Sequence, residues 1–391
     1  MLLSRLLFTV LAAKADSQWV EDTSIPTSKT WKSVQITSDG SMVVAAARGG
    51  IYYTRASGDG MPKWSFASNG DYRGLAMSAD GSKMVAGVWD NGGSLWVTSD
   101  TGATWNETTP SSDYTGYGVY DQGLCMNADG SKVVAVGESK GAAMSTDSGN
   151  TWTKIAFDGA HTFFTSSSIG FKGCRISNDG QKIVIITKNA DGIAVSSDGG
   201  TTWAMKGIKK NYYCMAMSAD GSKIYAAAQR GGIQTSADGG ETWTESLADP
   251  NNEYPFHTCL MTADGSLSYA LGWGGLAMNS TDGAATWVID SSMPDDLKAI
   301  SADGSVLVRL GSASMNTMNF PVLTTTTTTT EASTTSDAGG GTTAEGSPDV
   351  STTSGSSSDT TVLNGVSAAS AAQVFSAIVL LGSAFVTEIS F

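Results

Sequence analysis

Histidine is nearly absent from this sequence: His161 and His257 are the only two among 391 residues. The four cysteines follow no metal-binding spacing and two histidines cannot complete one, so no metal or other cofactor is called for. Basic residues are short as well, 23 Lys and Arg against 37 Asp and Glu, for a net charge of −14. That balance leaves no basic surface to displace counterions, which excludes nucleic acid as a partner and favours solubility. Proline is scarce at 8 residues while glycine reaches 46, a composition that suits many short strands joined by tight turns. Long apolar runs are confined to the two ends. The first, Leu6–Ala13, is too short to span a bilayer. With Met1-Leu2-Leu3-Ser4-Arg5 before it and Ala13-Lys14-Ala15 closing it, the segment 1–15 reads as a secretory signal peptide cleaved after Ala15.

Repetition is what the sequence has in plenty. An eight-residue box ending in tryptophan reads Ser236-Ala237-Asp238-Gly239-Gly240-Glu241-Thr242-Trp243 in its cleanest copy and recurs at Thr98–Trp105, Ser145–Trp152 and Ser196–Trp203. Weaker copies are Ser280–Trp287, with Ala284 in place of the second glycine, and Ser57–Trp64, with Met61 there. A second unit, a Ser/Asn-x-Asp-Gly turn followed by small apolar residues, puts aspartates at Asp39, Asp80, Asp129, Asp179, Asp220, Asp264 and Asp303. Their intervals, 39 to 50 residues, hold four short strands each. Strand one ends at the Asp-Gly turn, strand two is the apolar run after it, strand three leads into the box, and strand four begins at the tryptophan. The last unit has no box, but Trp19 stands 20 residues before Asp39, so Trp19–Ile25 can supply the missing outer strand. The predicted fold is all-β: a single seven-bladed β-propeller of four-stranded antiparallel blades over 16–323, closed by that N-terminal strand.

The box explains itself mechanically. Asp59, Asp100, Asp147, Asp198, Asp238 and Asp282 can accept backbone N–H bonds within the turn, and the glycines let the chain reverse. The threonine hydroxyl can satisfy a neighbouring carbonyl, while the tryptophan wedges into the apolar layer with its indole N–H on a polar partner. From Thr324 the composition changes to a Ser/Thr/Gly stalk over 324–361 that cannot bury a core and suits O-glycosylation in an exported chain. The apolar end, 362–391, fits a GPI-attachment signal, with a retained transmembrane helix as the alternative. Either way the expectation is a monomeric propeller at the cell surface, held to the membrane by its C-terminal anchor.

Cys125, Cys174, Cys214 and Cys259 all fall on first strands, at four, five, six and five residues before the turn aspartate. Alternation along a strand puts Cys125 and Cys214 on one face and Cys174 and Cys259 on the other. If neighbouring blades oppose unlike faces, Cys125 meets Cys174 and Cys214 meets Cys259; with the opposite handedness only Cys174–Cys214 can form, and four buried thiols are the further alternative. Both Asn106-Glu107-Thr108 and Asn279-Ser280-Thr281 are glycosylation sequons.

A ligand is expected on the rim opposite the boxes, where the loops vary. Eight residues before each turn aspartate stand Trp31, Tyr72, Asp121, Phe171, Tyr212, Phe256 and Asp295, which should ring the mouth of the central channel. The loops between strands two and three add Arg48, Trp89, Asp90, Glu138, Lys188, Arg230 and Trp273, and the link 106–122 adds Tyr114, Tyr117 and Tyr120. Aromatics with a few charges suit sugar stacking or peptide docking, and plugging of the axis is their purely structural role.

The Ser-x-Asp-x-Gly-x-Thr-Trp box resembles the Asp-box, or BNR, repeat of β-propellers over about 300 residues. Such repeats occur in sialidases, xyloglucan-cleaving glycosidases, sortilin-type receptors and the photosystem II stability and assembly factors, with the boxes away from the active face. The sialidase resemblance implies an Arg-Ile-Pro segment and three substrate-clamping arginines, whereas this chain has Ser24-Ile25-Pro26 and few arginines. The xyloglucan-cleaving enzymes use two facing propellers; this chain has the length of one. Size resembles the assembly factors best, whose propeller binds a partner and catalyses nothing, although the Thr-rich stalk and apolar tail depart from that family. The expected function is a non-catalytic surface protein binding a glycan or protein. The alternative is an Asp-box glycoside hydrolase, sialidase-like or glucanase-like, using Asp121 and Asp295 as channel-mouth acids.

Overall fold

The computed structural model describes residues 19–319, except 22–30, 56–62, 65–70, 90–93, 109–118, 138–140, 158–169, 188–191, 229–230, 311–314 and the single positions 156, 250, 252 and 295. The signal segment, the stalk, the tail and residues 57–62 of the box around Asp59 lie outside the described residues, as do Asp90, Tyr114, Tyr117, Glu138, His161, Lys188, Arg230, Asp295 and the side chain of Tyr120. All described strands belong to the unit Met1–Pro321, and Val322–Phe391 forms the second unit.

Every described secondary element is a strand or turn, and the strands run in fours. In a representative unit, Tyr72–Met77, Met84–Val88, Leu95–Thr98 and Asn106–Thr108 pair antiparallel in sequence order. The second strands Met84–Val88, Val133–Gly137, Ile183–Thr187 and Ile224–Ala228 are buried at every position. They have apolar sheets on both faces, which is why their sequences are unbroken apolar runs rather than alternating ones. Outer strands such as Asn106–Thr108 and Thr153–Lys154 are polar and exposed.

Five sheets have four strands and one has eight, a propeller-like arrangement. The departure from separate four-stranded blades has a local cause. Where inner strands Val119–Met126 and Phe171–Ile176 converge, Gln122 pairs with Gly173 in parallel. A Cβ on Gly173 would stand 3.1 Å from the Gln122 side chain and carbonyl, so glycine permits that approach. Three residues along, Cys125 is bonded to Cys174, with Cα atoms 5.8 Å apart. Cys214 and Cys259 are bonded likewise, at 5.4 Å. Of the pairings left open by the sequence, the one with unlike faces opposed is the one formed.

At the other end of the chain, Trp19–Glu21 pairs antiparallel with Met315–Asn319, Trp19 opposite Met318. The N-terminal segment thus supplies the outermost strand of the sheet that also holds Leu297–Ile300 and Val306–Leu310.

The Asp-Gly turns are built alike. Asp80 accepts the Ser78 hydroxyl at 2.7 Å and the Ser82 N–H at 3.0 Å, and Gly81 takes a φ of +75°. The residue before each turn aspartate links one unit to the next through its backbone. The Ser38 N–H donates to the Ala79 carbonyl at 3.0 Å, Ala79 to Ala128 at 2.9 Å, Ala128 to Asn178 at 3.2 Å, and Asn178 to Ala219 at 2.7 Å. Ala219 then donates to Ala263 at 2.7 Å, Ala263 to Ala302 at 2.8 Å, and Ala302 back to Ser38 at 3.2 Å. The circle is closed.

In the boxes the aspartate does more than predicted. Asp238 accepts the Thr242 N–H at 2.9 Å, the Ser236 hydroxyl at 2.8 Å and the Thr242 hydroxyl. The threonine therefore serves the carboxylate, not a carbonyl. The Trp243 indole N–H donates to the Gly240 carbonyl at 2.9 Å. Asp100, Asp147 and Asp198 repeat the pattern. Ala284 adopts the left-handed φ of +68° that glycine holds elsewhere, and there Trp287 donates instead to the Ser246 hydroxyl.

These bonds lower the carboxyl pKa of Asp100, Asp198 and Asp238 to about 2, chiefly through the threonine hydroxyl and then its N–H. Because the folded value lies below the unfolded one, the stability they contribute is present above about pH 4 and lost as pH falls towards 2. Urea midpoints should therefore decline over that window, and Asp238→Asn should lower Tm by a few °C at neutral pH and flatten the decline. Replacing Cys214 and Cys259 by serine should cost about 2–4 kcal/mol in denaturant unfolding. Unreduced peptide mapping should recover the 125–174 and 214–259 links.

Candidate binding site at the channel mouth

Four of the aromatics expected around the mouth are core residues. Tyr72, Phe171, Tyr212 and Phe256 are all 2 % exposed or less. Phe171 stacks on Phe157 at 5.6 Å, Phe256 lies 6.0 Å from Tyr254, and the Tyr212 hydroxyl bonds Ile208 and Gln234. Trp31 is half-buried, edge-on to Tyr52 at 5.2 Å. Tyr72, Phe171, Tyr212 and Phe256 thus pack between sheets rather than facing a ligand.

The reason is a bulge at the start of six of the inner strands. The pairing register skips one residue after Trp31, Tyr72, Phe171, Tyr212, Phe256 and Leu297. The skipped residues are Lys32, Arg73, Lys172, Tyr213, His257 and Lys298. A bulge leaves its residue unpaired and re-aims the side chain. Five of the six line a cavity of about 140 Å³ on the axis, joined by Gln122 and Arg175. The signal was legible as a repeated pair, an apolar or aromatic residue followed by a polar one: Trp31-Lys32, Phe171-Lys172, Phe256-His257, Leu297-Lys298. Counting eight back from the aspartate found Trp31, Phe171 and Phe256 but not the residue after each, and in the last unit it fell on Asp295, two residues short of Leu297.

Arg175 is the deepest charge. Its guanidinium donates to the Cys174 carbonyl at 2.8 Å and the Gln122 side-chain oxygen at 3.3 Å. Burial pushes its pKa down to about 10. The Gln122 amide in turn donates to the His257 carbonyl at 3.4 Å across the channel. Lys298 donates to the Thr258 hydroxyl at 3.1 Å, which also meets His257 Nδ1 at 2.8 Å. Among the described residues lining the cavity none is Asp or Glu.

Above the cavity, on the side opposite the boxes, Trp273 is 49 % exposed at the hairpin after Ser268–Gly272. Its ring lies 5.6 Å from Tyr213 and 5.1 Å from His257, and Lys172 sits 4.8 Å over Tyr213. This cluster unites one predicted residue with three the sequence reading did not single out. In a second cluster the backbones of exposed Arg48 and of Asp71 form an antiparallel β-bridge, the Asp71 carboxylate binds Arg73 at 2.9 Å, and Arg73 lies 4.2 Å over Trp89. The side chain of Asp121, like Asp295, lies outside the described residues. Of the two sequon asparagines, Asn106 is exposed, while Asn279 is half-buried and donates to Asp290 at 2.9 Å. Among the described residues no group of three or more His, Cys, Asp or Glu is placed to hold a metal.

No protein-family model and no curated protein sequence matches this chain. Solved structures do resemble it in fold, and they are β-propellers. YCF48 bound to D1 peptide superposes with a TM-score of 0.57 at 14 % identity, over 78 % of this chain and 97 % of that one. The RRP9 WD40 repeats give 0.60 at 12 % identity, over 78 % and 97 %. The GH74 xyloglucanase from Xanthomonas campestris gives 0.58 at 13 % identity over 78 % of this chain, which spans only 54 % of the enzyme. At such identities the likeness is one of fold: the chain is a β-propeller.

The burial contrast can be measured. Phe256→Ala should cost about 3–5 kcal/mol of stability, as for a large core truncation, while Trp273→Ala should change it by about 0.5 kcal/mol or less. Denaturant unfolding of both variants separates core plug from surface platform.

Proposed function

We propose that this chain is a non-catalytic, exported binding protein, a seven-bladed Asp-box propeller presenting its channel mouth to a protein or glycan partner. The single observation that carries the reading is the cluster of exposed Trp273 with Tyr213, His257 and Lys172 on a rigid scaffold. An aromatic platform beside fixed cations gives stacking area and directional polar contacts without a reacting group. The seven-membered circle of backbone hydrogen bonds supports a count of seven blades, with the eight-stranded sheet counted as two. That one fold neighbour is a YCF48 structure with a peptide bound supports a peptide as the first partner to test. The leader over 1–15, the threonine-rich stalk and the apolar tail support display at the cell surface through a GPI anchor, with glycan on Asn106.

Glycoside hydrolysis is the second reading, supported by the GH74 likeness. That enzyme is about twice as long as the part matched here, and a hydrolase needs two carboxyl groups roughly 5–10 Å apart across the substrate. One experiment addresses both. Phosphatidylinositol-specific phospholipase should release the protein from intact cells, and the released form should bind members of a peptide or glycan array. Binding should weaken about tenfold in Trp273→Ala, with no turnover of fluorogenic glycosides. Robust hydrolysis with no array ligand would sink the binding reading, and failure of the phospholipase to release the chain would replace the lipid anchor by a transmembrane one.

A further inference from the structure

An Asp-Gly pair is prone to attack on itself, because glycine leaves its own amide nitrogen unshielded beside the preceding carboxyl. Ten such pairs lie within the described residues, seven at the turns and three in the boxes at Asp198, Asp238 and Asp282. The attacking atom is the glycine nitrogen, so the hydrogen bond it makes decides whether it can turn onto the carboxyl. In all seven turns, from Gly40 to Gly304, that N–H donates to the carbonyl three residues back at 2.9–3.0 Å. In the boxes it donates instead to the Asp-Gly turn of the same unit: Gly199 to the Gln181 carbonyl and Gly239 to the Ser222 carbonyl, both at 2.8 Å. Thr101 and Ser148, at the same place in their boxes, donate likewise to Ser82 and Ser131. Gly283 is the exception. The Ser266 carbonyl is its counterpart, yet that bond is not made, and among the described residues the Gly283 N–H has no other acceptor.

Two further observations set this box apart. A Cβ on Gly199 or Gly239 would stand 3.4 or 3.3 Å from the carbonyl oxygen of Gly180 or Gly221 in the turn, whereas on Gly283 it would stand 3.9 Å from that of Gly265. The box of Asp282 thus lies farther from its turn. Ala284 takes a φ of +68° where Gly200 and Gly240 reach +96° and +89°, and Trp287 bonds Ser246 instead of a box carbonyl. The carboxylates do not make the difference. Asp282 accepts the Thr286 N–H at 2.9 Å and hydroxyl at 2.6 Å, as Asp198 accepts those of Thr202. We propose that Asp282-Gly283 is the site of spontaneous aspartate isomerisation in the folded propeller, the other nine pairs being kept inert by their bonded glycine nitrogens. The Gly283 nitrogen attacks Asp282 Cγ, and the new C–N bond closes a five-membered succinimide. The hydroxyl of the protonated carboxyl leaves as water together with the amide proton. Water then opens the ring at either carbonyl, restoring aspartate or giving isoaspartate, so the step needs no oxidant or reductant. Isoaspartate adds a methylene to the backbone and moves the carboxylate, so Ser280 and Thr286 lose their acceptor and the short outer strand Val288–Ile289 loses the turn that seats it. None of this depends on what the mouth binds.

The test is peptide mapping of the purified full chain after prolonged incubation at neutral pH in oxygen-18-enriched water. Each passage through a succinimide exchanges a carboxyl oxygen with solvent, so the label records turnover even where aspartate is restored. In the folded chain, label and isoaspartate should build up at Asp282 at least about fivefold faster than at any of the other nine aspartates, the scale of one net hydrogen bond. In urea with the disulfides reduced, all ten should react at like rates and faster than in the folded chain, because no nitrogen is then held. Equal rates at Asp282 and Asp238 in the folded chain overturn the proposal, as does a faster reaction at any other of the ten pairs. A lead of Asp282 that persists undiminished in urea overturns it too, since the preference would then belong to the local sequence and not to the missing bond. So does an unlabelled Asp282 in the folded chain when the urea sample is labelled.

Discussion

A closed circle of backbone hydrogen bonds at the Asp-Gly turns is the constraint from which the rest follows. Each member both donates and accepts, so no unit can shift along the axis without breaking a bond on either side. Lysines one position past the turn reinforce it from unit to unit: Lys83 reaches the Asp129 carbonyl, Lys132 reaches Gly180, and Lys223 reaches Asp264, all at 2.9 Å. The inner strands are thereby held close enough at this rim for a strand pairing and two disulfides to form between neighbours. Their opposite ends are freed by bulges, and that is where side chains turn into the axis.

The two rims therefore divide the chemistry between them. On the box rim, aspartates are consumed as turn-makers, with hydroxyl and amide partners that hold them ionised. On the mouth rim, Lys172, Tyr213, His257 and Trp273 pack against one another instead. Between the rims the sheets are cemented by buried pairs such as Tyr225, whose hydroxyl meets the Leu260 carbonyl at 3.1 Å and accepts the Leu260 N–H at 2.9 Å while its ring meets Trp287 at 4.9 Å. A scaffold cemented in this way fixes where its exposed groups stand.

Local grammar was legible wherever it repeats. The Asp-Gly turns, the boxes, the unbroken apolar second strands and the closing strand at Trp19 follow from hairpin chemistry and period, which act over a few residues. The cysteine pairing was legible as far as strand alternation goes; only the packing of neighbouring sheets chose between its versions. Tyr72, Phe171, Tyr212 and Phe256 were misplaced because one skipped residue per strand reverses which face a side chain takes.

Taken alone, the sequence determined the all-β class, the repeat and its turns, because these depend on backbone conformation and short-range hydrogen bonds. Tertiary structure alone decided which residues meet. Lys32, Lys172, Arg175 and Lys298 are separated by up to 266 positions and share a cavity because the strands that carry them converge on one axis. Trp273 becomes a platform because Tyr213 and His257, from two other bulges, stand beside it. Long-range convergence of this kind is fixed by the closure of the ring and leaves no mark on any local stretch of the chain.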